Sequence, residues 1–306
     1  MMWSAPMLYS YRKPRRDFSN SPWIYRPRLT RAMPEESSAG LPSVRQRENG
    51  RADFRRSMEL FRAFRIEKSD PDRFYRLLAK DSVSQVVRHQ PLVGKLVLDV
   101  GGGAGYFTNA FRDAGARCVL IEPELRELWA DNNTGGRSVS PHGSPSDFSE
   151  AAWVGSVVGN GYRLPFADST TEVCFSSNVL EHVSRPEEFI TEMVRVTKPG
   201  GVIYVSFTNW YSPWGGHGTS PWHYFGGERA LKRYKRVYGR EPINRYGETL
   251  FATHVGPILH WVRSWSEVAV LEARPRYYPA WCNWVVHVPG LREVATWNLM
   301  LILRRA

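Results

Sequence analysis

Residues 96–107 read LVLDVGGGAGYF. An apolar run broken by one acid, Asp99, passes into four glycines at positions 101, 102, 103 and 105, and apolar residues then recur at helical spacing through Phe107, Ala110, Phe111 and Ala114. That order predicts a short buried strand, a tight turn and the opening of a helix. A turn so rich in glycine lets a bound group lie against bare backbone at the strand's carboxyl end. An ordinary strand–turn–helix connection rarely needs four glycines.

Spacing decides what such a turn holds. The dinucleotide fingerprint G-x-G-x-x-G requires a glycine where Tyr106 stands, so a nicotinamide-dependent reductase is disfavoured. The pattern present is D-x-G-x-G-x-G, from Asp99 to Gly105. CVLIEP at 118–123 reads as a second strand ending in Glu122, 17 residues past Gly105, where a carboxylate can accept from both hydroxyls of a ribose. A helix is expected near Glu124–Asn132, then a Gly/Ser/Pro-rich surface insertion at 134–148. WVGSVVG (153–159), EVCFSSN (172–178) and VIYVSF (202–207) read as strands three to five. Ser184-Arg185-Pro186-Glu187 has capping-box spacing and predicts a helix through Phe189, Met193 and Val194 that stops at Lys198-Pro199-Gly200-Gly201. EVAVLEARPR (267–276) and WNLMLILRR (297–305) read as the last two strands, preceded by a helix over 250–263 disturbed at Gly256-Pro257.

The glycine turn, the acid at Glu122, NGYRLPFAD at 160–168, NVLEHV at 178–183 and the KPGG segment, taken in order, resemble the class I S-adenosylmethionine-dependent methyltransferases of the type 11 kind. The resemblance implies an α/β fold: a Rossmann-like, doubly wound seven-stranded sheet with an antiparallel last strand. It also implies S-adenosyl-L-methionine as cofactor, held by Asp99, Gly101, Gly102, Gly103, Gly105, Tyr106, Glu122, Asn160, Gly161 and Asn178. In that family the glycines admit the amino-acid end and Asp99 anchors its ammonium. Leu164, Pro165 and Phe166 would wall the adenine, and the 178–183 turn would flank the methyl. This chain departs from the family in carrying Asn160 where an Asp accepts from the adenine amino group; the amide carbonyl can make the same bond without the charge.

Around that core the chain divides into a basic segment expected to be disordered (1–50), N-terminal helices (51–91) broken at Asp70-Pro71, and a catalytic domain (92–306) with a lid-like insertion over about 208–250. Met33 and Met58 are alternative starts. Net charge is +11; nine Lys/Arg against four Asp/Glu give residues 1–50 a charge of +5, and 32 against 26 leave +6 for the rest. Without a clustered Lys/Arg run in the main body, and with Ser177-Asn178-Val179-Leu180 in place of the N/D-P-P-Y/F motif of DNA N-methylating enzymes, nucleic acid is a disfavoured partner. Cys118, Cys174 and Cys282 lack paired spacing and read as thiols of a reducing, cytoplasmic compartment.

Eight of the twelve tryptophans follow residue 208, which points either to a lid that stacks on the acceptor or to a small core inside the insertion. The stretch YYPAWCNWVVHVPGLREVAT at 277–296 reads as a helix packed on its sheet, with peripheral membrane contact as the alternative. The expected acceptor is a small molecule, a glycan or a lipid-type compound, methylated on oxygen. His182, His217 and His223 are the candidates for a base, and no His/Asp/Glu pair has metal-ligand spacing, so metal independence is expected. The rival from another class is a catalytically silent cofactor-binding scaffold at a membrane surface. Oligomeric state is not legible.

Overall fold

A strand buried on both faces needs cover above and below it. Leu96–Val100 (β1) is such a strand, and in the computed structural model, which describes residues 44–67, 69–123 and 153–306, helices cover both sides. In chain order the elements are helices Val44–Arg65 (α1) and Pro71–Val87 (α2), strand β1, helix Tyr106–Asp113 (α3), strands Arg117–Glu122 (β2), Trp153–Val158 (β3) and Thr171–Ser177 (β4), helix Pro186–Val196 (α4), strand Thr197–Thr208 (β5), helices Gly227–Tyr238 (α5) and Val255–Ser264 (α6), strand Val268–Pro275 (β6), helix Leu291–Ala295 (α7) and strand Asn298–Arg305 (β7). The sheet order is β3-β2-β1-β4-β5-β7-β6, with β7 antiparallel to both neighbours. This is the doubly wound seven-stranded sheet expected from the sequence. The strand order reverses between β1 and β4, and a ligand crevice opens at such a switch point, at the strands' carboxyl ends.

Alternation along the strands sends neighbouring residues to opposite faces. Val97 joins Phe74, Leu78 and Phe111 under α2 and α3, whereas Leu98 joins Phe189, Met193 and Leu259 under α4 and α6. The N-terminal helices are fixed by more than apolar contact. Asp70 caps α2 by accepting from the Arg73 amide at 3.1 Å, with Pro71 in the first turn. Arg56 of α1 donates to both carboxylate oxygens of Asp81 in α2, at 2.5 and 2.8 Å, and to the Arg276 carbonyl at 3.1 Å just past β6.

Four boundaries differ from expectation. α1 starts at Val44, inside the segment expected to be disordered, where Arg45, Gln46, Arg47 and Glu48 are good helix formers ahead of Gly50; residues 1–43 lie outside the described residues, as do the expected helix near Glu124–Asn132 and the insertion at 134–148. Ser184 does not cap α4: the cap position falls to Arg185 with no side-chain bond, and the Ser184 hydroxyl meets Tyr162 Oη at 3.2 Å instead. The helix stops at Val196, just before KPGG, and β5 begins earlier than the expected 202, taking the KPGG segment in, with a register shift in its pairing to β4 between Thr171 and Val173. Gly256-Pro257 does not disturb a helix; it forms the first turn of α6, where a proline lacks no partner it would otherwise have.

That first turn takes its cap from a distant residue. The Glu293 carboxylate in α7 accepts from the amides of Val255 at 3.0 Å and Gly256 at 2.7 Å, placing negative charge on the positive end of α6. Glu293→Ala is expected to cost about 1–2 kcal/mol of unfolding free energy in a urea titration, and Glu293→Gln, which keeps one acceptor, distinctly less. Equal losses would mean that the charge of Glu293 carries the cap and the neutral acceptor kept by Gln contributes nothing.

Candidate functional site

The glycine turn closes over a buried acid. Asp99 is 1% exposed; its Oδ2 accepts from the hydroxyl of Thr108, the third residue of α3, at 2.7 Å, and its Oδ1 is buried without a hydrogen-bond partner among the described residues. Burial pushes the carboxyl up to about 7, and nearby Glu122 adds to the rise. Gly102 is the residue that lets the turn come this close: a Cβ there would stand 2.3 Å from Leu120 Cδ1 and 2.5 Å from Asp99 Oδ2. Gly103, at φ +52°, faces open space, with nothing within 4 Å of a Cβ placed on it. Gly101 abuts Val179, and Gly105 begins α3 in the left-handed region.

Glu122, at the end of β2, accepts from the Gly103 amide at 3.0 Å, so the expected ribose ligand stands directly beside the turn. Tyr106 stacks on Tyr75 of α2, ring centroids 5.5 Å apart. Asn160 is exposed, and its Oδ1 accepts from the Tyr162 amide at 2.9 Å in a local turn, which occupies part of the carbonyl expected to face an adenine. Gly161 is required by packing, since a Cβ would lie 2.3 Å from the Phe189 ring. Of the three expected adenine-wall residues, Leu164 is buried in the core, Phe166 is half-buried against it and Pro165 is exposed.

The end of β4 faces the turn across the switch point. Asn178 sits at φ +58°, a conformation that asparagine tolerates better than other non-glycine residues. It is held there from two sides: its amide donates to Ser206 O at 2.8 Å, and its Oδ1 accepts from Asn298 Nδ2 at 2.9 Å. Beneath it lies Arg276, fully buried, whose guanidinium donates to the hydroxyls of Ser177 at 2.9 Å, Ser206 at 3.0 Å and Ser82 at 2.7 Å. Among the described residues Arg276 makes no ion pair to a carboxylate. It ties β4, β5, α2 and the end of β6 to one another at the place where the crevice opens.

From Asn178 a cleft of about 570 Å³ runs outward between the N-terminal helices and the insertion. Phe64, Phe74, Trp214 and Tyr277 give it aromatic walls, and Asn178, Glu181, His182, Thr208, His217 and Asn244 give it polar ones. Trp214 is clamped edge-on against Phe64 at 4.6 Å and against Trp297 at 5.0 Å. The tryptophans of the insertion divide between core and cleft. Trp210 is buried within the insertion, against His223 and Tyr246, whereas Trp214 lines the cleft.

The three histidines part company. His182 and His217 lie on the cleft wall with ring centroids 5.1 Å apart. His182 Nδ1 is 2.6 Å from the Thr249 carbonyl, which can only accept, so that nitrogen carries the proton and Nε2 keeps its lone pair. Burial, reinforced by the neighbouring His182 and His223, drives the His217 imidazole down to about 4. His223 is fully buried under Gly216, its Nε2 meeting the Ser212 carbonyl at 3.2 Å, and has no surface in the cleft. Glu181 was not singled out by the sequence. It is 1% exposed; one carboxylate oxygen accepts from the Thr208 amide at 3.0 Å and the other is buried without a partner. Glu181, His182 and His217 each bring one donor atom to within 4.8 Å of the other two, a grouping that linear spacing does not show.

A family model for a methyltransferase domain matches residues 98–205. An "uncharacterized methyltransferase" of Mycobacteroides abscessus is 42% identical over 86% of this chain and 99% of its own length. One of Mycobacterium tuberculosis is 43% identical over 83% of this chain and 96% of its own. Among solved structures, a putative S-adenosylmethionine dependent methyltransferase from Listeria monocytogenes covers 75% of this chain and 98% of its own at 13% identity, with a TM-score of 0.49.

The two glycines at the heart of the turn predict losses of different size and cause. Gly102→Ala forces a methyl into Leu120 and Asp99 and is expected to cost about 1–3 kcal/mol, the range of core overpacking. Gly103→Ala meets open space and is expected to lose only about 1 kcal/mol from its left-handed backbone. Thermal melts of the two variants give the comparison.

Proposed function

We propose that this chain, which belongs to the S-adenosylmethionine-dependent methyltransferases, transfers a methyl group to a hydroxyl oxygen of a small-molecule, glycan or lipid-type acceptor held in the cleft between α1, α2 and the insertion. The observation that carries the cofactor half is Asp99: a buried carboxylate with one bare oxygen beside a glycine, Gly103, that opens onto empty space. A buried polar atom without a partner is costly unless a ligand completes it, and an ammonium is the group that a carboxylate completes best. Asp99, the amides of the glycine turn and Glu122 would hold S-adenosylmethionine. Bound there, the cofactor supplies a methyl on a sulfonium, and the remaining work falls to the protein.

That work is orientation and exclusion of water. Asn178, locked in its left-handed conformation, fixes the turn where the cofactor crevice and the cleft meet. Aromatic walls with a polar patch suit an acceptor that combines an apolar body or sugar ring with a hydroxyl. His182 Nε2 and His217 are the groups on that wall able to take a proton, since burial keeps His217 neutral at physiological pH. His223, buried in the insertion, serves packing.

A second surface favours acceptors that reside at a membrane. Trp281 and Trp284, 68% and 54% exposed, stand with Val288 and Val294 on the segment between β6 and β7, which packs inward through Val285 and Val286. Among the described residues no helix is long and apolar enough to cross a membrane, so contact would be interfacial. Flotation with vesicles of acidic lipid is expected to carry the wild-type chain upward and to lose a variant with Trp281→Ser and Trp284→Ser; equal flotation of both would remove this reading.

Calorimetry separates the cofactor readings. S-adenosylmethionine and S-adenosylhomocysteine are expected to bind, and NADPH to give no heat; the reverse result would sink the assignment. The pH dependence tests Asp99 itself. In the unfolded chain this group ionises near 3.8, and in the fold burial raises it to about 7. Its protonated form therefore supports the fold fully below pH 3.8, and that support fades as pH rises to 7. A ligand ammonium draws out the carboxylate, so affinity for S-adenosylhomocysteine is expected to rise ~tenfold per pH unit up to about 7 and then level off. Asp99→Asn is expected to flatten that slope. A slope unchanged in the variant would place the ammonium elsewhere.

A further inference from the structure

The NVLEHV turn and the insertion meet at one point of the cleft wall, and the chemistry there exceeds what methyl-donor binding requires. We infer that Glu181, His182 and His217 form a divalent-cation site of the two-histidine, one-carboxylate type, whose open positions face the acceptor. The inference rests on the proposed transfer to an acceptor oxygen and adds to it the means by which that oxygen is held.

Three features of the cluster point to an ion. Glu181 is 1% exposed, yet one of its carboxylate oxygens has no hydrogen-bond partner among the described residues. His217 Nε2 is likewise buried and unpartnered. Two unmatched lone-pair donors side by side in a buried wall are unfavourable unless something positive lies between them. The third feature is the outer shell. His182 donates its Nδ1 proton to the Thr249 carbonyl at 2.6 Å, and Glu181 accepts from the Thr208 amide at 3.0 Å. These are the backbone contacts that fix a ligating imidazole's tautomer and aim a ligating carboxylate.

Donor atoms within 4.8 Å of one another need to move inward by about 1 Å to reach an ion at roughly 2.0–2.2 Å from each. Side-chain rotation supplies that. Nitrogen donors with one carboxylate select an ion of borderline hardness such as Zn²⁺, Co²⁺, Ni²⁺ or Fe²⁺ over Mg²⁺, which prefers all-oxygen surroundings. Three protein ligands leave one or more positions open, the arrangement of a site that receives an exogenous oxygen. All three residues line the cleft, together with Trp214 and Asn244, where the acceptor is placed above. An acceptor hydroxyl on the ion would be oriented and made more acidic; with both imidazole lone pairs engaged as ligands, its proton would pass to solvent and not to His182 or His217.

The test uses the purified full chain stripped with a chelator and titrated with Co²⁺, Zn²⁺ and Mg²⁺ by calorimetry, with the visible spectrum of the Co²⁺ form as a second readout. One Co²⁺ or Zn²⁺ per chain is expected, with Mg²⁺ far weaker. His217→Ala and Glu181→Gln are each expected to weaken Co²⁺ binding by at least ~10–100-fold, the scale on which even outer-shell changes act, and to change the Co²⁺ spectrum. His254→Ala, at a histidine outside the cleft, is expected to change neither. Binding of S-adenosylhomocysteine is measured on the same samples. A chain that binds S-adenosylhomocysteine but takes up no Co²⁺ or Zn²⁺, or binds them equally well as His217→Ala, overturns the cation site and leaves the methyltransferase reading standing. A chain that binds the ion but not S-adenosylhomocysteine does the opposite. Should Glu181→Gln fail to fold, His217→Ala, in the peripheral insertion, decides the matter alone.

Discussion

The constraint on which the rest depends is the burial of Asp99 under the glycine turn. A carboxylate so enclosed must be neutral, paired or waiting for a partner. Thr108 supplies one bond, which fixes where α3 begins relative to β1. The turn above can be no bulkier than glycine at position 102, and the backbone is thereby pressed against the strand end. The result is a crevice floor made of amides and one incomplete acid. Cofactor chemistry follows from this contact more directly than from the sheet, which could support many activities.

The second organising feature is Arg276. A fully buried guanidinium bonded to three hydroxyls, on α2, β4 and β5, costs desolvation that neutral oxygens offset only in part. Its geometric effect is what the site uses. It fixes the carboxyl ends of β4 and β5 to a helix of the N-terminal pair, so that α1 and α2 become one wall of the cleft and are more than cover for the sheet. Arg56 continues the link through Asp81 and the Arg276 carbonyl. The helical wall of the cleft is thus mechanically joined to the carboxyl ends of β4 and β5 through buried polar contacts between distant segments.

What the sequence disclosed divides along the same line. The glycine turn, the acid at Glu122 and the individual strands were legible because each is set by residues near one another in the chain, periodicity for the strands and spacing for the turn; the antiparallel β7 was implied by the family resemblance alone. The misread positions fail for the opposite reason. Ser184 has capping-box spacing, but Tyr162, 22 residues earlier, takes its hydroxyl. Gly256-Pro257 looks disruptive until Glu293 arrives to cap the turn. Glu181 went unnoticed because a lone Glu in an L-E-H triplet carries no signal; its meaning depends on Thr208 and on His217, 36 residues downstream. Arg276 reads as one more basic residue at a strand end.

Local strain marks the same boundary from another direction. Among the described residues three non-glycine positions adopt positive φ, Ser169, Asn178 and His217, and the last two stand on the cleft wall. Backbone held in that region costs of order 1 kcal/mol or more and persists only where surrounding structure over-determines it. Asn178 is held by Ser206 and Asn298. His217 is held by the turn that begins the insertion's first short helix, where its amide donates to the Trp214 carbonyl at 2.8 Å. One strained residue belongs to the sheet and the other to the insertion, and Glu181 and His182 stand with them on the same wall. A fold that kept the insertion only as cover would have no reason to hold a histidine in an unfavourable backbone conformation with a buried, unpartnered nitrogen. A fold that uses the insertion to complete a site begun at the end of β4 does.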